Sequence, residues 1–118
     1  MDTRNIRVAA LVQEKVGSLI IEGKIKDPRV DSFLSITRVS VSRDFSYADL
    51  YVSSYKTDAG LEKGVEGLQS AAGFIQAKLA ESMRVRQTPK LRFHVDKIFR
   101  EAFELNKKID ELNAPPPQ

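Results

Sequence analysis

The sequence predicts an α+β fold, a two-layer sandwich running α-β-β-α-α-β with an added C-terminal helix. Three observations carry that reading. Apolar residues recur every three or four positions over 4–22, 58–84 and 98–112, the period of helices with one buried face. The stretches 33–42, 47–55 and 90–96 instead are rich in β-branched and aromatic residues or alternate apolar with polar. Strands with one apolar face need helices on one side of the sheet, which two layers supply.

In the first helix, Val8, Leu11, Val12, Val16, Leu19 and Ile20 share a face, with Thr3 as the expected N-cap. Gly23 is placed to end it. The following "GKIKDPRV" reads as a connector with a fixed bend, because Asp27-Pro28 favours a turn or extended chain. Then "FLSITRVSVS" (33–42) and "YADLYVSSY" (47–55), joined by "RDFS", make a hairpin in which Ala48, Leu50 and Val52 point inward. The apolar phase of its first strand shifts from Leu34 and Ile36 to Val39 and Val41. Strict alternation forbids that shift, so a bulge is expected near Thr37-Arg38.

Leu61, Val65, Leu68 and Ala72 continue at helical spacing into Ile75, Leu79 and Met83, with Asp58 available as a cap. The run is interrupted at "SAAGFI" (70–75). Glycine inside a helix costs about 1 kcal/mol relative to alanine, so two helices are expected to meet at Ala71-Ala72-Gly73, in a joint that a bulky side chain at 73 would crowd. Pro89 then precedes "KLRFHVD", a third strand with Leu91, Phe93 and Val95 on one side and Arg92 and His94 on the other. Ile98, Ala102, Leu105, Ile109 and Leu112 form the stripe of the last helix, which "NAPPPQ" ends. The expected organisation is one domain over 1–113 and a short Pro-rich tail over 114–118.

Composition narrows the chemistry. The 118 residues contain no cysteine and one histidine, which excludes disulfides, thiolate zinc sites, thiol nucleophiles and multi-histidine metal sites. No apolar run approaches the roughly 18 residues of a membrane span, so no membrane partner is expected and the cytoplasm is the expected compartment. Net charge is only +3, but residues 74–100 hold seven bases against two acids, leaving −2 on the rest. A local excess of that kind suits a polyanion such as nucleic acid or an acidic membrane surface, or else a basic helix face that is simply solvated.

Enzyme signatures are scarce. Ser53, Ser54 and His94 form no recognisable triad, and turn or cap duties account for Asp44, Asp49, Asp96 and Glu101. No glycine-rich phosphate loop is present. The expectation is a protein with no catalytic residues, cofactor or metal.

The element order, with a glycine between the middle helices, resembles the type II KH domain, where a G-x-x-G turn brings backbone close to nucleic-acid phosphates. Here Ala71-Ala72-Gly73 lacks the first glycine. The ordered set "KDPRV" (26–30), "ITRVSVSRDFSYADLYVS" (36–53), "LQSAAGFIQAKL" (68–79) and "PKLRFHVD" (89–96) resembles the bacterial ribosome-binding factor A family, which is KH-like with an A-x-G kink. Gln76, Phe45 and Lys90 depart from its usual pattern, standing where a base, a Leu and an acid are common. The resemblance implies a non-enzymatic assembly factor that binds free 30S subunits and 16S rRNA and supports late 16S rRNA processing, with other assembly factors as possible partners; a monomer is the expected state. It also implies an RNA-facing surface of Ala71, Ala72, Gly73, Lys78, Arg84, Arg86 and Arg92, with Arg4 and Arg7 as weaker candidates.

Tyr51, Tyr55, Arg92 and His94 are expected on the outward sheet face, where aromatics beside bases can stack on unpaired nucleotides or simply cover the sheet. Phe74 follows the kink and is open to core or contact duty. The alternative from another class is a protein-protein adaptor docking through that outer face. A small hydrolase has only scattered carboxylates behind it.

Overall fold

The computed structural model describes residues 3–54, 57–83 and 88–97. The elements run α1 (Thr3–Ile21), β1 (Leu34–Val41), β2 (Tyr47–Ser54), α2 (Asp58–Ser70), α3 (Ala72–Ser82) and β3 (Lys90–Val95), in the order expected. The strands form one sheet, β1-β2-β3, with β1 antiparallel to β2 and β2 parallel to β3. A parallel pair cannot close through a hairpin, so α2 and α3 form the crossover. The expected C-terminal helix and the tail over 114–118 lie outside the described residues.

Alternation decides which face is covered. Ala48, Leu50 and Val52 of β2 are fully buried, and Leu91 and Phe93 of β3 nearly so, beneath Val12 and Val16 of α1, Leu68 of α2 and Ile75 and Leu79 of α3. Each large aliphatic group buried this way contributes roughly 1.5–3 kcal/mol. Leu11, expected on the buried face of α1, is 38% exposed, because it sits at the margin of the stripe. Two polar side chains fix α1 on the sheet: Gln13 Nε2 donates to Ile36 O at 3.0 Å and Asn5 Nδ2 to Ser42 O at 2.7 Å.

The bulge falls where the phase shift demands it. Ile36 pairs with Val52 and Arg38 with Tyr51, leaving Thr37 as the extra residue. Its hydroxyl is not stranded, since Oγ1 donates to the buried Asp96 carboxylate and also lies 3.2 Å from Tyr51 O.

Both expected helix caps move by one role. Thr3 is the first residue of α1, and Thr57 caps α2, its Oγ1 accepting the Gly60 N–H at 3.1 Å. Asp58 stands just inside, where its charge meets the positive end of the helix. Gly23 ends α1 as expected, at φ 67°, with its N–H on Ile20 O and that of Lys24 on Leu19 O. That is the two-bond Schellman ending, which a residue with a Cβ adopts only at a cost.

Glycines inside α2 have a steric reason. A Cβ on Gly64 would lie 2.6 Å from Leu34 Cδ1, and one on Gly67 would lie 3.0 Å from both Arg29 Cβ and Val30 Cγ2. Their absence of side chain lets α2 settle against the start of β1 and the connector.

Candidate functional site

The bend between the middle helices is centred on Ala71. With φ −90° and ψ 5° it closes α2, its N–H reaching Gly67 O at 3.0 Å and Leu68 O at 3.1 Å, and its carbonyl opens α3 by accepting the Ile75 N–H at 3.0 Å. Alanine has no side-chain oxygen, so α3 begins without a side-chain cap, and the amides of its first turn must look elsewhere. Ala71 and Ala72 pack against the core, whereas Gly73 is exposed and Phe74 is 44% exposed.

Gly73 does not relieve crowding. It lies within α3 and outside the left-handed region, and a Cβ built on it meets nothing within 4 Å. The expectation that a side chain there would crowd the joint is therefore corrected: the bend is made by Ala71, and Gly73 keeps a patch of first-turn backbone open to the outside.

The connector is stapled to this joint. Arg29 donates from N and Nε to Asp27 Oδ1 at 2.9 and 3.0 Å, and from Nη2 to Asp27 Oδ2 at 2.8 Å and Ser70 Oγ at 3.1 Å. The Arg29 hydrogen bonds pull the Asp27 carboxyl down to about 2. Lys24, Lys26 and Asp27 of the connector then line one open groove with Ser70, Ala71 and Phe74, about 320 Å³ in volume.

The expected site residues fall into separate places. Lys78 is one turn beyond Phe74 on α3, half exposed, with Nζ 3.7 Å from Glu81 and 5.7 Å from the Phe74 ring centre. Arg4 and Arg7 are exposed at the start of α1, the end that Asn5 ties to Ser42. Nineteen residues at 1.5 Å rise put that end roughly 28 Å from the Gly23 end and its connector. Arg84, Arg86 and Tyr55 lie outside the described residues.

Arg92 is the clear departure, because strand alternation puts it on the sheet face away from the helices. Its Nε and Nη2 reach the two oxygens of Asp49 at 2.9 Å each, and its guanidinium carbon stands 4.3 Å from the Tyr47 ring centre. His94 Nε2 lies 2.8 Å from Asp49 Oδ1, Tyr51 and His94 stack with centres 5.3 Å apart, and Arg38 covers Tyr51 at 3.9 Å. Burial pushes the Asp49 carboxyl up, but hydrogen bonds from Arg92 and His94 outweigh it and hold it below the ordinary value. So Tyr51, Arg92 and His94 share the outer face as expected, but Arg92 does not share a surface with the joint.

The scattered polar residues have structural duties. His94 faces Asp49, while Ser53 is buried. Asp44 Oδ1 accepts from Ser46 N at 3.1 Å and Ser42 Oγ at 3.0 Å, shaping the hairpin turn and lowering its own pKa. Among the described residues no group of three or more His, Cys, Asp or Glu is placed to hold a metal ion, and no helix is long and apolar enough to cross a membrane.

Sequence reasoning missed Lys24 and Lys26. They stand in a short connector 45 or more positions before the joint, outside the basic segment over 74–100, and only the packing of the connector on α2 brings them there. The signal available was modest: three bases in the seven residues 23–29.

The family model described as Ribosome-binding factor A matches residues 4–109. Ribosome-binding factor A of Treponema denticola is 45% identical over 109 residues, 92% of this chain and 83% of that protein. That of Borreliella burgdorferi is 37% identical over 111 residues, 94% of this chain and 92% of that one. The crystal structure of ribosome-binding factor A from Thermus thermophilus superposes with a TM-score of 0.66 at 25% identity, over 77% of this chain and 93% of that one. A homology model of Thermus thermophilus ribosome-binding factor A, fitted into the cryo-EM map of its complex with 30S, superposes with a TM-score of 0.52 at 25% identity, over 71% of this chain and 90% of that one.

Proposed function

This chain belongs to the ribosome-binding factor A family, and on that premise we propose that it is a non-enzymatic, cytoplasmic, monomeric assembly factor that binds the free 30S subunit through 16S rRNA and supports late 16S rRNA processing. The observation that carries the RNA-binding part is the open joint. Gly73 leaves backbone exposed for no reason of internal packing, α3 begins there without a side-chain cap, Lys24 and Lys26 line the groove beside it, and Lys78 is 5.7 Å from the Phe74 ring. Backbone amides at a helix start, flanked by lysines, favour phosphate. The joint thus does the work of the G-x-x-G turn of a type II KH domain with a single glycine.

The contact surface in this reading is Ala71, Ala72, Gly73 and Lys78 with the connector lysines, together with Arg84 and Arg86 by family resemblance. Arg92 is left out, since Asp49 already holds its guanidinium on the other face. Arg4 and Arg7 would reach RNA only along a surface that runs the length of α1.

Co-sedimentation with free small subunits and with fully assembled ribosomes tests the reading. The protein should pellet with free subunits, do so less with assembled ribosomes, and lose binding as salt rises because phosphate contacts release counterions. Equal binding to assembled ribosomes, or none to free subunits, would sink it. An Arg84→Glu, Arg86→Glu double variant that binds RNA-containing particles normally would favour an adaptor docking through the outer sheet face.

A further inference from the structure

Resting on that RNA-binding reading, we infer that the groove beside the joint seats one unpaired RNA nucleotide, with the base stacked on Phe74 and the phosphate held by Lys24 and Lys26. The residue that asks for this is Phe74. It keeps 44% of its surface in water while its neighbours Ile75 and Leu79 are fully buried, and it lines a groove whose other walls are Lys24, Lys26, Asp27, Ser70 and Ala71.

Size limits the occupant. About 320 Å³ is at the small end of the roughly 300–1,000 Å³ typical of small-ligand sites, which is room for a single nucleotide. Charge selects its chemistry. Asp27 is the acid in the lining, and Arg29 matches it with three hydrogen bonds, which leaves the two lysines to set the sign. Lys24 also has Glu22 at 3.2 Å, but both side chains are more than half in water, where such a pair is weak. A flat apolar ring beside two cations matches a base joined to a phosphate, the pattern by which proteins hold unpaired RNA. An acidic peptide would satisfy the lysines and leave the ring in water.

The chain has no tryptophan, so Phe74→Trp installs a single fluorescent reporter in the groove. A single-stranded oligoadenylate of about ten nucleotides should quench it saturably, and less so as salt rises. Phe74→Leu, and separately Lys24→Glu with Lys26→Glu, should weaken binding of that strand roughly tenfold. Absence of quenching, equal quenching by duplex RNA or by polyglutamate, or undiminished binding by Phe74→Leu would each overturn the inference. Wild-type protein sedimented with free small subunits in parallel separates the two levels: sedimentation without quenching overturns the nucleotide seat alone, and quenching without sedimentation overturns the small-subunit function alone.

Discussion

Arg29 and Ser70 stand 41 positions apart in the chain, and their side chains meet at 3.1 Å. With Asp27 on the same guanidinium, the contact makes the connector and the last residue of α2 one unit, and the joint begins at the next residue. Arg29→Ala should leave the sheet intact, because Leu50, Leu68 and Leu79 remain fully buried in the core, yet loosen the joint. Hydrogen exchange should quicken at the amides of residues 71–75 and stay slow in β2. Unchanged protection at the joint would mean that the staple does not hold it.

The same staple has a pH signature. Asp27 is drawn from an ordinary 3.8 to about 2 by the Arg29 hydrogen bonds, so its folded carboxyl binds a proton less readily than its unfolded one. A depressed carboxyl stabilises the fold fully above its unfolded pKa and loses that contribution as pH falls toward the folded value. Chemical denaturation between pH 5 and 2 should therefore show a decline that is shallower in Asp27→Asn. Equal slopes for both proteins would remove the staple from the acid response.

Gly64 and Gly67 predict a loss of stability on gaining one carbon. A Cβ would fall 2.6 Å from Leu34 Cδ1 in the first case and 3.0 Å from Arg29 Cβ in the second, and overpacking of this kind costs roughly 1–3 kcal/mol. That outweighs the roughly 0.5–1 kcal/mol that alanine gains over glycine in a helix. Urea denaturation of Gly64→Ala and Gly67→Ala should show both less stable than the parent. A stabilised Gly64→Ala would mean that Leu34 yields freely.

These glycines mark the limit of what the linear pattern reveals. The alternation of β2, the helical stripes and even the Thr37 bulge are periodic signals, and periodicity survives in one dimension. Which of α2's glycines touches another element is not periodic. It depends on where the connector lands, as does the meeting of Lys24 and Lys26 with Phe74. Arg92 shows the same limit from the other side: its place in a basic segment is visible in sequence, but a strand's alternate faces send neighbours in opposite directions, so charge counted along the chain merged two surfaces. The caps differed for a smaller reason, since Thr57 and Asp58 are both good cap residues and the choice between them is local geometry.

Separating those two surfaces has a measurable consequence for binding. Lys78 is on the joint side, 5.7 Å from the Phe74 ring, whereas Arg92 is held by Asp49 on the outer face. Lys78→Gln should weaken association with free small subunits and reduce the dependence of log affinity on log salt by about one, the loss of one phosphate contact. Arg92→Gln should change neither appreciably. The reverse outcome would move the RNA to the sheet.

Gly73→Ala brings structure and function into opposition. The new methyl has open space around it, the position is helical, and alanine restricts the unfolded chain, so the variant should be more stable by about 0.5–1 kcal/mol. If RNA backbone approaches the first turn of α3 closely, the same methyl stands in its way, and affinity for free small subunits should fall by about tenfold, the cost of one lost close contact. Thermal denaturation and co-sedimentation on one preparation read both effects. A variant that is more stable and binds undiminished would show that the glycine serves neither packing nor RNA, and the contact surface would then have to lie away from the joint.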